Sequence, residues 1–343
     1  MINKNAHPQF SPSEIWTPQD EVEGPIQAAI DEMNQTETKT LVSDLQKNVE
    51  TADNGVVYAV LKGDNPEEYS ESDALVVLNP FANAATPNQL VRAEFIRRVA
   101  KRYDVRDEAG KLKPVVMLAS PGLGGSKLNL SRDERNEVRN GELGPVAKEL
   151  LQAVSSRDIG RVTLLGFSQG ADVALAGARS AYGANLDTAA VAVGDPAGVE
   201  ARGRLGLLQD FSKAGTKDLK QAIEATGLKA QEVIGLADFA RFGASFALKS
   251  FNRKTLYSAL GRDTFESRLQ EILNEGTVDK LIVGYGADSK ITKPEHIEPA
   301  LASVDGLYGD DNLVTSIRVE GAKHTWGDQL TLLAKLYMRA AAQ

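Results

Sequence analysis

Residues 161–176 read RVTLLGFSQGADVALA. A short apolar run, 162–165, ends in Gly166-Phe167-Ser168-Gln169-Gly170 and passes directly into a helix-forming stretch containing Ala171, Ala174, Leu175 and Ala178. The pattern predicts a strand, a sharp turn and a helix, with Ser168 held at the turn as a candidate nucleophile. The flanking glycines have a steric purpose. A serine in a strained turn brings its neighbours against the strand and the helix, where a side chain would collide. The resulting hydroxyl stands above the positive end of a helix.

The composition narrows what such a serine can serve. The chain has 343 residues, enough for a sizeable core, with 42% hydrophobic and 25% charged residues. That balance is globular. A net charge of −8 leaves no basic surplus to neutralise phosphates, so no nucleic-acid partner is expected. There is no cysteine, which excludes disulfides, thiolate metal sites and a cysteine nucleophile. The N-terminal stretch MINKNAHPQFSPSEIW lacks the apolar segment of a signal peptide, and no run is long enough to span a membrane. The expectation is a cytoplasmic protein without an integral membrane segment.

Outward from the elbow, apolar runs and amphipathic stretches alternate. Residues 1–18 read as a loose arm, and 22–33 as a helix. Residues 38–45 and 55–62 read as two β segments with a turn at Asp53-Asn54-Gly55. Residues 74–78 and 115–118 are continuous apolar runs suited to strands buried on both faces. Between them, 89–103 is amphipathic at helical spacing. Leu90, Val91, Phe95, Ile96 and Val99 lie on one face, and Arg92, Arg97, Arg98 and Lys101 on the other. Residues 145–154 read as a helix, 189–193, 281–283 and 314–319 as strands, and 329–342 as a final helix. This alternation predicts an α/β fold, a mostly parallel sheet covered on both faces with an antiparallel entry. It breaks once. Between 199 and 276 only helical segments occur, at 217–226, 230–248 and 264–274. An insertion at that place projects over the strand ends where ligands bind. The expected organisation is an arm and helix over 1–37, a core over 38–199 and 276–343, and a helical cap over 200–275.

A serine needs a base, and the base needs an orienting carboxylate. Only three histidines exist. His7 lies in the arm, and His296 at the predicted start of a helix. His324 directly follows the last predicted strand, where a loop reaches the elbow, and is the preferred base. Two aspartates end strands at the same edge: Asp288, in Gly286-Ala287-Asp288, and Asp195, in Gly194-Asp195-Pro196. Asp288 is preferred, with Asp195 as the alternative and a helix N-cap as the ordinary use of either.

The order Ser168, Asp288, His324 matches the chain order of the α/β-hydrolase triad. From about Thr38 onward the chain resembles an α/β-hydrolase, a serine hydrolase of the esterase or lipase kind. The resemblance rests on Gly166-Phe-Ser-Gln-Gly170, the Gly286-Ala-Asp288 turn and the His324 loop. It implies Ser168 as nucleophile, His324 as general base and then acid, and Asp288 as orienter. It also implies an oxyanion hole. One donor is the Gln169 backbone N–H, and the second comes from the loop after the third strand. Here that loop reads Asn79-Pro80-Phe81-Ala82-Asn83. Family members often begin it with His-Gly. Pro80 has no N–H, so Phe81 or Ala82 supplies the donor. Pro121-Gly-Leu-Gly-Gly-Ser126 lacks both the Gly-Lys-Ser/Thr and the complete Gly-x-Gly-x-x-Gly patterns, which argues against nucleotide binding. Metal-ligand spacing is absent and no cofactor is implied.

A serine nucleophile sets the chain apart from relatives that attack with aspartate, the haloalkane dehalogenases and epoxide hydrolases. The lack of cysteine sets it apart from dienelactone-hydrolase-like chemistry. The expected reaction is hydrolysis of a small-molecule carboxylic ester through an acyl-enzyme. An acyltransferase, perhydrolase or thioesterase with the same triad, or a non-catalytic binding module on this fold, remain the alternatives. The middle cap segment carries Phe239, Phe242 and Phe246 at spacings of three, four and seven, which puts them on one helix face. They are the candidate wall for an apolar acyl or aromatic group.

Overall fold

The computed structural model describes residues 11–78, 87–119, 126, 128–202, 216–234, 259, 262, 264–308 and 313–341. The strands show why apolar runs dominate the sequence. Every residue of Asp73–Leu78 is buried. Ala74, Val76 and Leu78 join one core layer, whereas Leu75 and Val77 join the layer on the opposite face. Successive side chains of a strand point to opposite faces, so a strand covered on both sides is apolar except where a charge is paired, as Asp73 is with Lys113.

Nine strands form the described sheet: β1 Glu14–Trp16, β2 Val49–Thr51, β3 Val57–Leu61, β4 Asp73–Leu78, β5 Val115–Leu118, β6 Arg161–Phe167, β7 Asp187–Gly194, β8 Lys280–Gly286 and β9 Val314–Val319. Their spatial order is β1-β9-β8-β7-β6-β4-β5-β3-β2. The β2–β3 and β3–β5 pairs are antiparallel, and the remaining pairs are parallel. The parallel strands therefore end at one common edge.

The described α-helices are α1 Gly24–Asn34, α2 Thr38–Gln46, α3 Pro87–Arg102, α4 Arg132–Arg139, α5 Gly144–Ser155, α6 Gln169–Ser180, α7 Thr216–Thr226, α8 Phe265–Asn274, α9 Pro294–Tyr308 and α10 Leu330–Ala341. Helices α4, α5, α6, α8 and α9 bury apolar faces in one layer. Helices α1, α2, α3 and α10 bury theirs in the other. The mostly parallel sheet with helices on both faces and an antiparallel entry at β2 and β3 is as the sequence pattern predicts.

Three expectations are corrected. Residues 38–45 form a helix rather than a strand, because Leu41 and Leu45, four apart, are the pair it buries. The arm contains β1, which extends the sheet beyond β9: Glu14 pairs with Ile317 and Trp16 with Val319. Helix α3 does not keep its cations in water. Arg92 and Arg97 are buried, at 5% and 7% exposure. Arg97 forks onto both Glu94 oxygens and the Tyr69 hydroxyl. Arg92 donates to Asp328 Oδ1 and to the Gly327 carbonyl. Buried charge is tolerated where it is paired in this way.

Within the expected cap, the described residues are 200–202, 216–234, 259, 262 and 264–275, which include α7 and α8. Helix α8 buries Phe265, Leu269 and Ile272 in the same core layer as α6 and α9. The other end of the insertion meets the turn after β9. The Thr226 hydroxyl accepts from Leu330 N–H, and Gln231 Nε2 donates to the Asp328 carbonyl. Phe239, Phe242 and Phe246 lie outside the described residues.

Candidate active site

Ser168 follows β6 and immediately precedes α6, with φ 55° and ψ −126°. A non-glycine residue there pays for a left-handed conformation, and the surroundings hold it. Ser168 N–H donates to the Gly194 carbonyl of the neighbouring strand at 2.8 Å, and its own carbonyl accepts from Ala171 N–H at 2.9 Å. A Cβ on Gly166 would overlap the Gly170 carbonyl, which is why the first motif glycine is required. The elbow therefore follows from the packing of β6 against α6.

The Ser168 hydroxyl lies 2.9 Å from His324 Nε2. His324 begins a 3-10 turn, His324–Asp328, between β9 and α10. Several contacts fix this turn. Phe167 lies against the imidazole, with ring centroids 5.5 Å apart, and meets Trp326 edge-on at 5.1 Å. Gly327 packs so closely on Phe167 that any Cβ would overlap the ring. Arg92 holds the end of the turn through Gly327 and Asp328.

The other imidazole nitrogen meets a carboxylate. His324 Nδ1 lies 2.6 Å from Asp195 Oδ2. Because a carboxylate only accepts, Nδ1 carries the proton, and Nε2 is left to accept from Ser168. Asp195 is completely buried and sits just beyond β7 with φ 47°. Its carboxylate also accepts from Gly286 N–H at 2.8 Å and from the Ser289 hydroxyl at 2.7 Å. Three donors thus satisfy a carboxylate removed from water.

The expectation that Asp288 would serve this place is corrected. Asp288 is exposed, and its backbone N–H donates to Ala322 O at 2.9 Å. In the turn after β8, Ser289 rather than Asp288 faces inward. Sequence reasoning missed Ser289 altogether, since a serine after a strand has no distinctive signal. Asp195 was visible as the alternative: the strand before it is the direct neighbour of the elbow strand. His296 stands on the first turn of α9, 3.5 Å from Glu200 and away from this hydrogen-bonded chain.

Gln169 opens α6, where the first backbone N–H groups of a helix have no intrahelical acceptor. Its side chain is buried, and neither polar atom of the amide has a partner among the described residues. Phe81 and Ala82 lie outside the described residues. Of the glycine-rich stretch 121–126, only Ser126 is described. Its hydroxyl donates to the Ala119 carbonyl and accepts from Val57 N–H, tying that chain to the sheet. Among the described residues no three His, Asp or Glu side chains converge as a metal site. No described helix is long and apolar enough to cross a membrane.

The sheet order, the sharp turn after β6, and the placement of serine, carboxylate and histidine after β6, β7 and β9 define the α/β-hydrolase fold. No family model matches the sequence, and no curated protein matches it. Similar solved structures include a hydrolase from Pseudomonas aeruginosa PA01, at 13% identity over 85% of this chain and 98% of that one, with a TM-score of 0.48. The thioesterase domain from the curacin biosynthetic pathway is 14% identical over 84% of this chain and 98% of its own, with a TM-score of 0.48. A thermophilic esterase from Thermogutta terrifontis is 14% identical over 86% and 98%, with a TM-score of 0.44.

Proposed function

We propose that this protein is a serine hydrolase that cleaves a small-molecule carboxylic ester through an acyl-enzyme. The observation that carries the proposal is the unbroken chain from Ser168 Oγ to His324 Nε2 and from His324 Nδ1 to Asp195, at 2.9 and 2.6 Å. Ser168 Oγ attacks the ester carbonyl carbon while its proton passes to His324 Nε2. Asp195 stabilises the imidazolium that forms and holds the ring in its working tautomer. The new C–O bond leaves negative charge on the carbonyl oxygen. The Gln169 backbone N–H and an N–H from Phe81 or Ala82 receive that charge. Collapse expels the alcohol, which takes the proton from Nε2. Water then repeats the sequence on the acyl-serine, releasing the carboxylic acid and restoring the hydroxyl.

The substrate reading is an apolar acyl or aromatic ester, resting on the spacing of Phe239, Phe242 and Phe246. Two measurements test the proposal. A fluorophosphonate probe should label Ser168, identified by peptide mass, and Ser168→Ala should abolish labelling. A p-nitrophenyl ester series should give kcat/KM rising with chain length, since each buried methylene is worth about 0.8 kcal/mol. A wild-type protein that neither labels nor turns over any ester would refute the proposal. A flat chain-length profile would refute the apolar acyl preference alone.

A further inference from the structure

The nucleophile, base and acid leave one buried ion pair unused beside them. Asp172, on the first turn of α6, is completely buried, and Arg268 of α8 is 7% exposed. Arg268 Nη1 donates to Asp172 Oδ1 at 3.2 Å, and Nη2 donates to the Gly141 carbonyl. The remaining acceptor capacity of Asp172 is directed at one place. Oδ2 accepts from Ala197 N–H at 2.9 Å, and Oδ1 from Gly198 N–H at 3.1 Å. These amides lie two and three residues beyond Asp195. The Gly198 carbonyl in turn accepts from Thr264 and Phe265 N–H, at the start of α8. The contact leaves no room for a side chain, since a Cβ on Gly198 would come within 2.6 Å of Asp172 Oδ1.

This arrangement has a clear mechanical target. Asp195 sits in a left-handed conformation that a non-glycine residue adopts only when held. Its backbone N–H is anchored ahead of the turn to Gly284 O at 2.8 Å. Beyond the turn, the anchors are the Asp172 carboxylate and, from Thr292, a hydroxyl donated to the Pro196 carbonyl at 2.7 Å. Burying a charged pair costs desolvation, which a pair used only for stability recovers poorly. Burial pushes the Asp172 carboxyl up, while Arg268, the two amides and a charged His324 pull it down.

We propose that Asp172, neutralised by Arg268, is a positioning residue that fixes the Asp195 turn and thereby the Asp195–His324 hydrogen bond. The proposal rests on the serine-hydrolase reading for its kinetic consequence but not for its structural one. The Asp172 carboxylate meets the backbone amides of residues 197 and 198 and the Arg268 guanidinium. It acts through the backbone of residues 195–198.

The test uses the full chain and two variants. Asp172→Asn alone strands a buried guanidinium and is liable to unfold, so the first variant is the neutral pair Asp172→Asn with Arg268→Gln. The second is Arg268→Lys, which keeps the charge but loses the fork that joins Asp172 to Gly141. Thermal denaturation establishes folding. Two readouts follow: the far-downfield proton resonance of the His324 Nδ1–H bonded to Asp195, assigned by its loss in His324→Ala, and kcat and KM on a p-nitrophenyl ester. The expected result for the folded neutral pair is a weakened or lost resonance, kcat down about 10²-fold and KM within about twofold, since a 1 Å misplacement remote from the chemistry costs that much. Arg268→Lys should show the same changes in smaller degree. A folded variant that keeps both the resonance and kcat would overturn the proposal, as would one that loses kcat with the resonance intact. If the wild type hydrolyses no ester, the functional reading fails, and the resonance still decides the positioning role.

Discussion

Two turns at the same edge of the sheet read almost alike in sequence and do opposite things. One follows β7 as Gly194-Asp195-Pro196, the other follows β8 as Gly286-Ala287-Asp288-Ser289. In the first, the chain enters a left-handed conformation at the first residue beyond the strand, which drives the Asp195 carboxylate inward to His324 Nδ1. In the second, the chain continues beside β9 before turning. Ala287 N–H donates to Val319 O and Asp288 N–H to Ala322 O, so the Asp288 side chain emerges into solvent. The β8 turn is not idle. Its Gly286 amide and Ser289 hydroxyl hold the Asp195 carboxylate, and a Cβ on Gly286 would overlap the Ala322 carbonyl on the way to His324. One turn supplies the carboxylate beside His324 and the other supplies donors to that carboxylate. The side chain that reaches the imidazole is chosen by where the backbone leaves the strand, not by which turn contains an aspartate.

The hydrogen-bonded chain from Ser168 through His324 to Asp195 should give the greatest losses. Ser168→Ala and His324→Ala should each lower kcat on a p-nitrophenyl ester by about 10⁶-fold, and the double variant should be little worse, because nucleophile and base act as a unit. Additive losses in the double variant would mean that the two do not share one step. Next comes the aspartate. Asp195→Asn should lower kcat by about 10⁴-fold with little change in melting temperature. The amide nitrogen placed beside Nδ1 favours the tautomer with its proton on Nε2, which cannot take the Ser168 proton. A loss within tenfold for Asp195→Asn would break the assignment of the acid.

How far the sequence carried can be judged at particular residues. Strand β9, read over 314–319, has those bounds in the structure. The elbow was equally legible: Gly166 has no room for a Cβ, Ser168 takes a positive φ, and Ala171 and Ala174 are fully buried, so the pattern has few other uses. Helix α2 was not legible, since Thr38, Thr40 and Val42 alternate as a strand would, and only tertiary burial of Leu41 and Leu45 selects the helix. The buried Arg92 escaped detection for a related reason. Its partners, Gly327 and Asp328, are more than 230 positions away, and a cation's burial depends on them. The sequence offers two aspartates as the partner of His324, and the preferred one, Asp288, is not the one beside the imidazole. A single positive φ at Asp195 separates them, and nothing in the residue types around it announces that angle.

A smaller effect is expected where the β8 turn supports the acid. Ser289 donates to Asp195 Oδ2, the same oxygen that faces His324, and accepts from Ile291 N–H at 3.3 Å and Thr292 N–H at 3.0 Å. Ser289→Ala removes a hydrogen bond to a charged group, a loss of roughly tenfold in kcat. Ser289→Thr, which keeps the hydroxyl, should recover most of that rate if the loss comes from the carboxylate. An unrecovered loss, with a lower melting temperature in both variants, would instead place Ser289 among the packing residues of the turn.

Asp288 separates the side chain of the β8 turn from its main chain. Asp288→Asn should leave kcat/KM within about twofold, because its side chain is exposed and its one described structural contact, the N–H to Ala322 O, belongs to the backbone. Asp288→Pro tests the other half of the statement. It removes that N–H, so the chain between Gly286 and Ser289 loses its latch to the turn that leads into His324. Activity should then fall even though the carboxylate has been shown dispensable by Asp288→Asn. The two variants change the same residue and separate its side chain from its main chain. If Asp288→Asn were instead as damaging as Asp195→Asn, the two turns would be sharing the acid's work, and the inward carboxylate at Asp195 would no longer account for the imidazole's orientation alone. If Asp288→Pro were silent as well, the β8 turn would hold its form without the Ala322 contact. Gly286 and Ser289 would then be the whole of its contribution to Asp195.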